Sequence, residues 1–273
     1  MYHRTARVAE HVRLADRTFR VRLDCPDVAA AIRPGQFVML RLPDTADPLL
    51  GRPFALYDTA LDDGGRPVGI DVAYLVVGKM TGKLTGVVVG EPLDVWGPLG
   101  RPFLDVGTPE CVALVAGGIG QTPFLAYTRE LLGARGYGGD APRRRTAKVS
   151  LYYGVRSAAL AAGVEDFRAA GAEVHLASDD GSLGFKGFVT QLLESHGETG
   201  PLVGCGPEPM LHALARLAAK WGVPCQVSLE TPMACGAGIC FSCVTKVRTA
   251  DGWDYKRVCV DGPAFDAGQL AWE

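Results

Sequence analysis

Four cysteines near the C-terminus constrain this chain more than any other feature. Cys235, Cys240 and Cys243 lie within the stretch MACGAGICFSC, and Cys259 follows in RVCVDGP. The first three stand in a C-x4-C-x2-C arrangement, the spacing of a plant-type [2Fe-2S] site in which four thiolates hold two irons. A loop that wraps so small a group brings its backbone close to it. Gly236 and Gly238 remove side chains there and leave amides able to donate to sulfur. A structural zinc site also takes four cysteines, more often as C-x2-C knuckles at both ends, whereas only one C-x2-C occurs here. The spacing favours iron-sulfur and leaves zinc as the alternative.

The other cysteines, Cys25, Cys111, Cys205 and Cys225, are scattered, and a buried cysteine often behaves as a small apolar residue. A disulfide framework suits short secreted chains. At 273 residues the chain is not short, and its N-terminus, MYHRTARVAEHVRL, carries charges throughout without the apolar core of a signal peptide. The expectation is a cytoplasmic protein. No apolar run is long enough to span a bilayer, so no membrane partner is expected. A formal net charge of -2 gives no electrostatic reason to expect nucleic acid either.

The texture of the chain predicts three parts. Residues 1–108 read as short strands with period-two alternation, interrupted by Pro34-Gly35, Gly64-Gly65 and Gly97-Pro98, which predicts an antiparallel β-barrel. From Cys111 onward, apolar strands alternate with helical stretches such as TPFLAYTRELLGA and EPMLHALARLAAKWG. Residues 109–224 therefore predict an α/β domain with a parallel sheet covered by helices. Within it, GARGYGGDAPRRRTAK reads as an exposed insertion, with Arg143, Arg144 and Arg145 in a solvated loop. Residues 225–273 are too few for a robust core of their own, so something other than hydrophobic burial is expected to hold this small cysteine-bearing segment.

Two strand-to-helix turns of the α/β part carry glycines: VALVAGGIGQTPFLA, with Gly118 and Gly120, and VGCGPEPML, with Cys205, Gly206 and Pro207. In an open parallel sheet, ligands bind at the carboxyl ends of strands, and two such turns on one edge suit a nucleotide. The pattern is not G-x-G-x-x-G, and no acidic residue is clearly positioned to read a ribose. In the barrel part, Arg52 of RPFALY offers a guanidinium suited to phosphate, and YLVVGKMTGKLTG supplies Gly78 and Thr81 at a turn. His3, His11, His175, His196 and His212 are dispersed and suggest no triad.

Taken in order, RPFALY, VVGKMTGKLT, GPLGRPF, AGGIGQTPFLA, VGCGPEPM, VSLETPMACGAGICFSCVTKV and RVCVDGPAF resemble one family over almost the whole chain. It is the electron-transfer subunit of the two-subunit bacterial dihydroorotate dehydrogenase, within the ferredoxin-NADP reductase superfamily. The resemblance implies FAD in the barrel, NAD(H) on the parallel-sheet domain and a [2Fe-2S] cluster in the tail. It places Arg52, Pro53, Phe54 and Ala55 on the flavin-binding strand, with Arg52 against the phosphates. Ala73, Tyr74 and Leu75 fall on the next flavin strand, and Met80 and Thr81 on the pyrophosphate turn. Gly118, Gly120 and Thr122 fall on the pyridine-nucleotide turn, and Cys205, Gly206 and Pro207 near the nicotinamide.

Ala55 departs from the hydroxyl residue usual in the superfamily, and Met80 from a common glycine. The resemblance also implies an FMN-bearing catalytic subunit as partner, in a heterotetramer, and no catalytic side chain in this chain. Two other readings remain: a reductase serving a hydrogenase, a transhydrogenase or an oxygenase, and a non-catalytic zinc-binding or sensor protein.

Overall fold

A computed structural model describes residues 1–43 and 45–272. The first domain is one antiparallel sheet of β1 (Tyr2–Ala15), β2 (Thr18–Asp24), β3 (Phe37–Arg41), β4 (Arg52–Ala55), β5 (Asp58–Leu61), β6 (Pro67–Leu75) and β7 (Pro92–Leu99). Its order is β4-β3-β7-β1-β2-β6-β5, which makes the consecutive strands β4 and β5 the two opposite edges. One peptide step joins those edges. Leu56 donates its N–H to Gln36 O at 3.1 Å on one side, and Tyr57 donates to Asp71 O at 2.9 Å on the other. The sheet thereby curls into the expected barrel.

Alternation drives the curl, because Val21 and Leu23 are fully buried while Arg22 between them forks onto Asp71 at 2.7 and 2.8 Å. Two short helices, α1 (Pro26–Ala31) and α2 (Lys79–Leu84), close the barrel's ends.

The second domain contains β8 (Cys111–Gly117), α3 (Phe124–Leu131), β9 (Lys148–Val155), α4 (Val164–Ala169), β10 (Glu173–Ser178), β11 (Phe185–Lys186), α5 (Val189–His196), β12 (Leu202–Cys205), α6 (Glu208–Trp221) and β13 (Cys225–Ser228). Val112 through Ala116 of β8 are fully buried, as expected of a strand covered on both faces. The sheet order is β11-β10-β9-β8-β12-β13, followed by an edge strand from the C-terminal segment. The order reverses between β8 and β12.

The C-terminal segment holds the hairpin β14 (Val244–Thr249) and β15 (Gly252–Arg257), then α7 (Val258–Asp261) and β16 (Ala264–Asp266). β16 pairs antiparallel with β13. The expected boundary after Pro224 is therefore displaced, because β13 hydrogen-bonds in parallel register with β12 and belongs to the nucleotide sheet. The segment is also not held apart from hydrophobic burial. Met233, Val258 and Phe265 share one core with Phe37, Met39 and Leu99 of the barrel and Leu211 and Val227 of the α/β domain. A short chain borrows the core it cannot build alone, and each such buried side chain contributes about 1.5–3 kcal/mol.

The segment expected to be an exposed insertion docks onto the barrel instead. Tyr137 is buried and donates to Asp58 Oδ1 at 2.7 Å. Arg129 and Arg135 each pair with the same carboxylate at 2.9 Å. Arg143 and Arg144 are exposed as expected, whereas Arg145 is partly covered and pairs with Asp105. Beside this latch, Tyr57 donates to Asp166 at 2.6 Å, a second tie between the domains. Replacing Asp58 with Ala removes the acceptor of Arg129 and of the Tyr137 phenol and one of the two acceptors of Arg135, and is expected to cost about 3 kcal/mol. Urea unfolding reads this; an unchanged transition would mean that the latch carries no stability.

Candidate flavin, nucleotide and cluster site

All three parts of the chain line one cleft of about 420 Å³. From the barrel come Arg52, Pro53, Phe54 and Ala55 of β4, then Ala73, Tyr74 and Leu75 of β6. Gly78, Met80 and Thr81 follow from the start of α2, and Gly120, Thr122 and Cys205 from the two glycine turns. Gly118, Gly206 and Pro207 do not line it. Gly206 instead lines a neighbouring cavity of about 390 Å³, whose wall includes Glu208, Glu230, Lys246 and Trp272.

The cleft has a polar end and an apolar end. At the polar end, Lys79 is paired with Asp47 at 2.8 Å, whereas Arg52 is exposed and, among the described residues, donates to the carbonyls of Leu50 and Gly51, both at 3.0 Å. The Thr81 hydroxyl accepts the N–H groups of Val77 and Gly78 at 3.0 and 3.1 Å, which shapes the turn. Nothing stands within 4 Å of a Cβ built on Gly78, so the turn is open there. Met80, the residue in place of a glycine, lies in the first turn of α2 and packs with the barrel core, 2% exposed, at the wall of the cleft. Tyr74 is buried, and its hydroxyl is joined to His11 Nε2 at 2.8 Å. Burial pushes its phenol pKa up, so it stays neutral. An apolar slot ending in a guanidinium and backbone amides fits a flavin with a pyrophosphate tail.

The two glycine turns touch. A Cβ on Gly120 would stand 2.3 Å from Cys205 O and 2.8 Å from Gly206 N, both backbone atoms that cannot move aside. Only glycine brings the turn after β8 so close to the end of β12. Burial pushes the Cys205 thiol up to about 12, the Glu230 charge adds to this, and a hydrogen bond with Ser228 opposes it. Cys205 is thus a neutral thiol at the cleft wall.

Ser228, Glu230 and Met233 line the same cleft and were not legible as site residues. They lie on the connection from β13 to the cysteine loop, and only the fold brings that connection over the flavin strands.

Two residues past Met233 the cysteine loop begins. Gly236 and Gly238 both hold left-handed φ values, 69° and 82°. A side chain on Gly236 would collide with Met39 Cγ at 2.6 Å, so the loop lies directly on the barrel. Trp96 of β7 donates its indole N–H to Cys235 O at 3.1 Å, and Arg257 donates to Gly238 O at 3.1 Å from the opposite side. Cys243 and Cys259 are buried, and Cys240 is exposed.

The thiols influence one another, Cys240 with Cys235, and Cys259 with Cys243 and Cys235. Among the described residues, no group of three or more His, Cys, Asp or Glu side chains converges on a single ion. Four cysteines drawn from one loop and the start of α7 suit a site held by four thiolates. Hydrogen bonding to Ser242, then to Cys235, lowers the Cys240 thiol to about 6. Burial first, and then Cys243, pushes the Cys259 thiol up. Cys240 is thus more readily deprotonated than Cys259, and the thiolate is the form that binds metal.

A curled flavin-type barrel, a parallel sheet with two glycine turns and a cysteine loop around one cleft define a pyridine-nucleotide-linked reductase of the ferredoxin-NADP reductase class. Residues 6–103 match the oxidoreductase FAD-binding domain, and residues 230–271 match the iron-sulfur cluster binding domain of dihydroorotate dehydrogenase B. The dihydroorotate dehydrogenase B (NAD(+)) electron transfer subunit of Desulforamulus reducens is 36% identical over 98% of both chains. That of Geobacillus kaustophilus is 37% identical over 96% of both. Among solved structures, an NADH-dependent reduced ferredoxin-NADP oxidoreductase superposes with a TM-score of 0.81 at 26% identity, covering 98% of this chain and 90% of that one. Phthalate dioxygenase reductase shares the fold, with a TM-score of 0.61 at 17% identity, covering 90% and 87%. The chain belongs to the family of dihydroorotate dehydrogenase B electron transfer subunits.

Replacing Gly120 with Ala is expected to cost about 1–3 kcal/mol through overpacking against Cys205, read as a lower melting temperature. Replacing Gly118 with Ala adds only backbone strain, because no atom stands within 4 Å of its Cβ. Equal melting of the two variants would contradict the close turn.

Proposed function

We propose that this chain passes electrons from NADH through FAD to a [2Fe-2S] cluster and on to a separate FMN-bearing catalytic subunit that interconverts dihydroorotate and orotate. The observation that carries this reading is the shared cleft. Met233 lines it beside the flavin strands and lies two residues before Cys235 in the chain. When bound, FAD accepts a hydride and releases electrons singly, and the cluster accepts one at a time.

In this reading the barrel, the nucleotide domain and the C-terminal segment divide the work. Arg52 faces the flavin phosphates. Ala55, Ala73, Leu75 and the Pro53-Phe54 pair hold the ring system, and Gly78, Met80 and Thr81 shape the pyrophosphate turn. Gly118, Gly120 and Thr122 receive the dinucleotide, and Cys205, Gly206 and Pro207 border its nicotinamide. Cys235, Cys240, Cys243 and Cys259 hold the cluster, with Trp96 and Arg257 fixing their loop from two sides. Hydride transfer needs distance and stacking more than a proton-transfer group; of the titratable groups in the cleft wall, Cys205 and Tyr74 are both kept neutral, and Glu230 is exposed. Among the described residues no helix is long and apolar enough to cross a membrane.

A second reading, a reductase serving another acceptor, draws on the likeness to the NADH-dependent reduced ferredoxin-NADP oxidoreductase. The partner decides between them. Mixing the chain with an FMN-bearing dihydroorotate dehydrogenase subunit is expected to give NADH-driven orotate reduction in a heterotetramer. Cys259→Ser is expected to abolish that activity while FAD stays bound. No NADH-orotate activity, or full activity in the variant, would contradict the proposal.

A further inference from the structure

We propose that Arg257 raises the reduction potential of the iron-sulfur cluster, as a charge held against the cysteine loop. The inference rests on reading Cys235, Cys240, Cys243 and Cys259 as the four ligands of that cluster. Reduction adds one electron from the flavin, so the cluster with its thiolates becomes one charge more negative. A fixed cation beside them favours the reduced form, and net charge and hydrogen bonds to sulfur are among the levers that set such potentials. Arg257 stands at the end of β15, two residues before Cys259.

Two contacts hold the guanidinium to the loop. Its Nη1 donates to Gly238 O at 3.1 Å, and its central carbon lies 5.2 Å from the centre of the Phe241 ring. Gly238 and Phe241 bracket Cys240 in the chain, so the charge lies against the turn that carries that cysteine. The approach is close, because a Cβ on Gly238 would stand 3.2 Å from Nη1. Phe241 keeps a left-handed φ of 55°, a conformation that favours glycine, and in it the ring covers the cation. Asp261 restrains the guanidinium at 3.6 Å from Nε and accepts the Arg257 backbone N–H at 2.8 Å. The Nη1 edge thus meets the loop, while the carboxylate meets the Nε edge.

Fastening the loop does not itself require a charge. On the opposite side Trp96, a neutral donor, holds Cys235 O at the same 3.1 Å. A guanidinium in the matching place adds a full positive charge, and with its side chain 32% exposed, water screens that charge only in part. Arg257 also fixes a peptide that touches a ligand. Burial, then Cys243, pushes the Cys259 thiol up, and the backbone amide of Gly238 opposes them as a donor to that sulfur. Held by its carbonyl, Gly238 keeps its amide on Cys259, and a donor to a ligating sulfur favours the more negative, reduced cluster.

The test uses the full chain with FAD and cluster bound. Wild type, Arg257→Gln and Arg257→Lys are titrated anaerobically, with the reduced cluster read by electron paramagnetic resonance and the flavin by absorption. Arg257→Gln is expected to disfavour cluster reduction about tenfold, a fall of about 59 mV for one electron. The flavin midpoint is expected to stay in place, since Arg257 does not line the flavin cleft. Arg257→Lys, which keeps the charge without the fork, is expected to recover most of the fall. Should Arg257→Gln fail to hold a cluster, Phe241→Leu carries the comparison: it keeps the charge, removes its cover, and is expected to give a smaller fall in the same direction. An unchanged cluster midpoint in the variant measured would overturn this inference alone. Equal falls in Arg257→Gln and Arg257→Lys would also overturn it, by assigning the effect to lost packing. A wild type with no reduced-cluster signal and no bound iron would overturn the cluster reading, and this inference with it.

Discussion

The fold depends on the core that the C-terminal segment shares with both larger domains. Met39 and Leu99 of the barrel, Val227 of β13, and Met233, Val258 and Phe265 of the segment are all buried in it, together with Cys243 and Cys259. The segment could not bury these side chains alone, since so short a chain exposes too much surface for the core it encloses. Its apolar residues are therefore satisfied only when the barrel and the nucleotide sheet stand in their native relation. β16 adds itself to the edge of that sheet, and Trp96 reaches from the barrel to the backbone of Cys235. Burial and hydrogen bonding thus fix the cysteine loop to the domain that lines the flavin cleft.

The same arrangement holds the walls of the cleft in place. Asp58 gathers Arg129, Arg135 and Tyr137 across the domain boundary, and a buried carboxylate of this kind tolerates little displacement before a charge is left unpaired. The domains are held while the cleft between them stays open. Inside it, burial keeps Cys205 and Tyr74 neutral. Transfer between bound cofactors depends on geometry, and the structure's ties are concentrated on geometry.

Much of this was legible in the sequence, for identifiable reasons. Period-two alternation and turn glycines give the barrel, and the strand–glycine–helix texture gives the parallel sheet, because both patterns are local. The cysteine spacing is local too. What the sequence concealed is long-range. Nothing in GARGYGGDAPRRRTAK announces that Tyr137 will be buried against Asp58. Pairing with β12 and not any local signal assigns Cys225–Ser228 to the nucleotide sheet. Ser228, Glu230 and Met233 enter the cleft only because the segment folds back. Met80, a departure from the family pattern, packs with the barrel core while still lining the cleft.

The central claim is that NADH electrons reach an iron-sulfur cluster within this one chain. Visible absorption of anaerobically purified protein, titrated with NADH, tests it most directly. The account predicts flavin bands together with broad iron-sulfur absorption, both bleaching as NADH is added. A protein that stays colourless after reconstitution with FAD, iron and sulfide, or flavin bands that bleach while the iron-sulfur absorption stays oxidised, would contradict it.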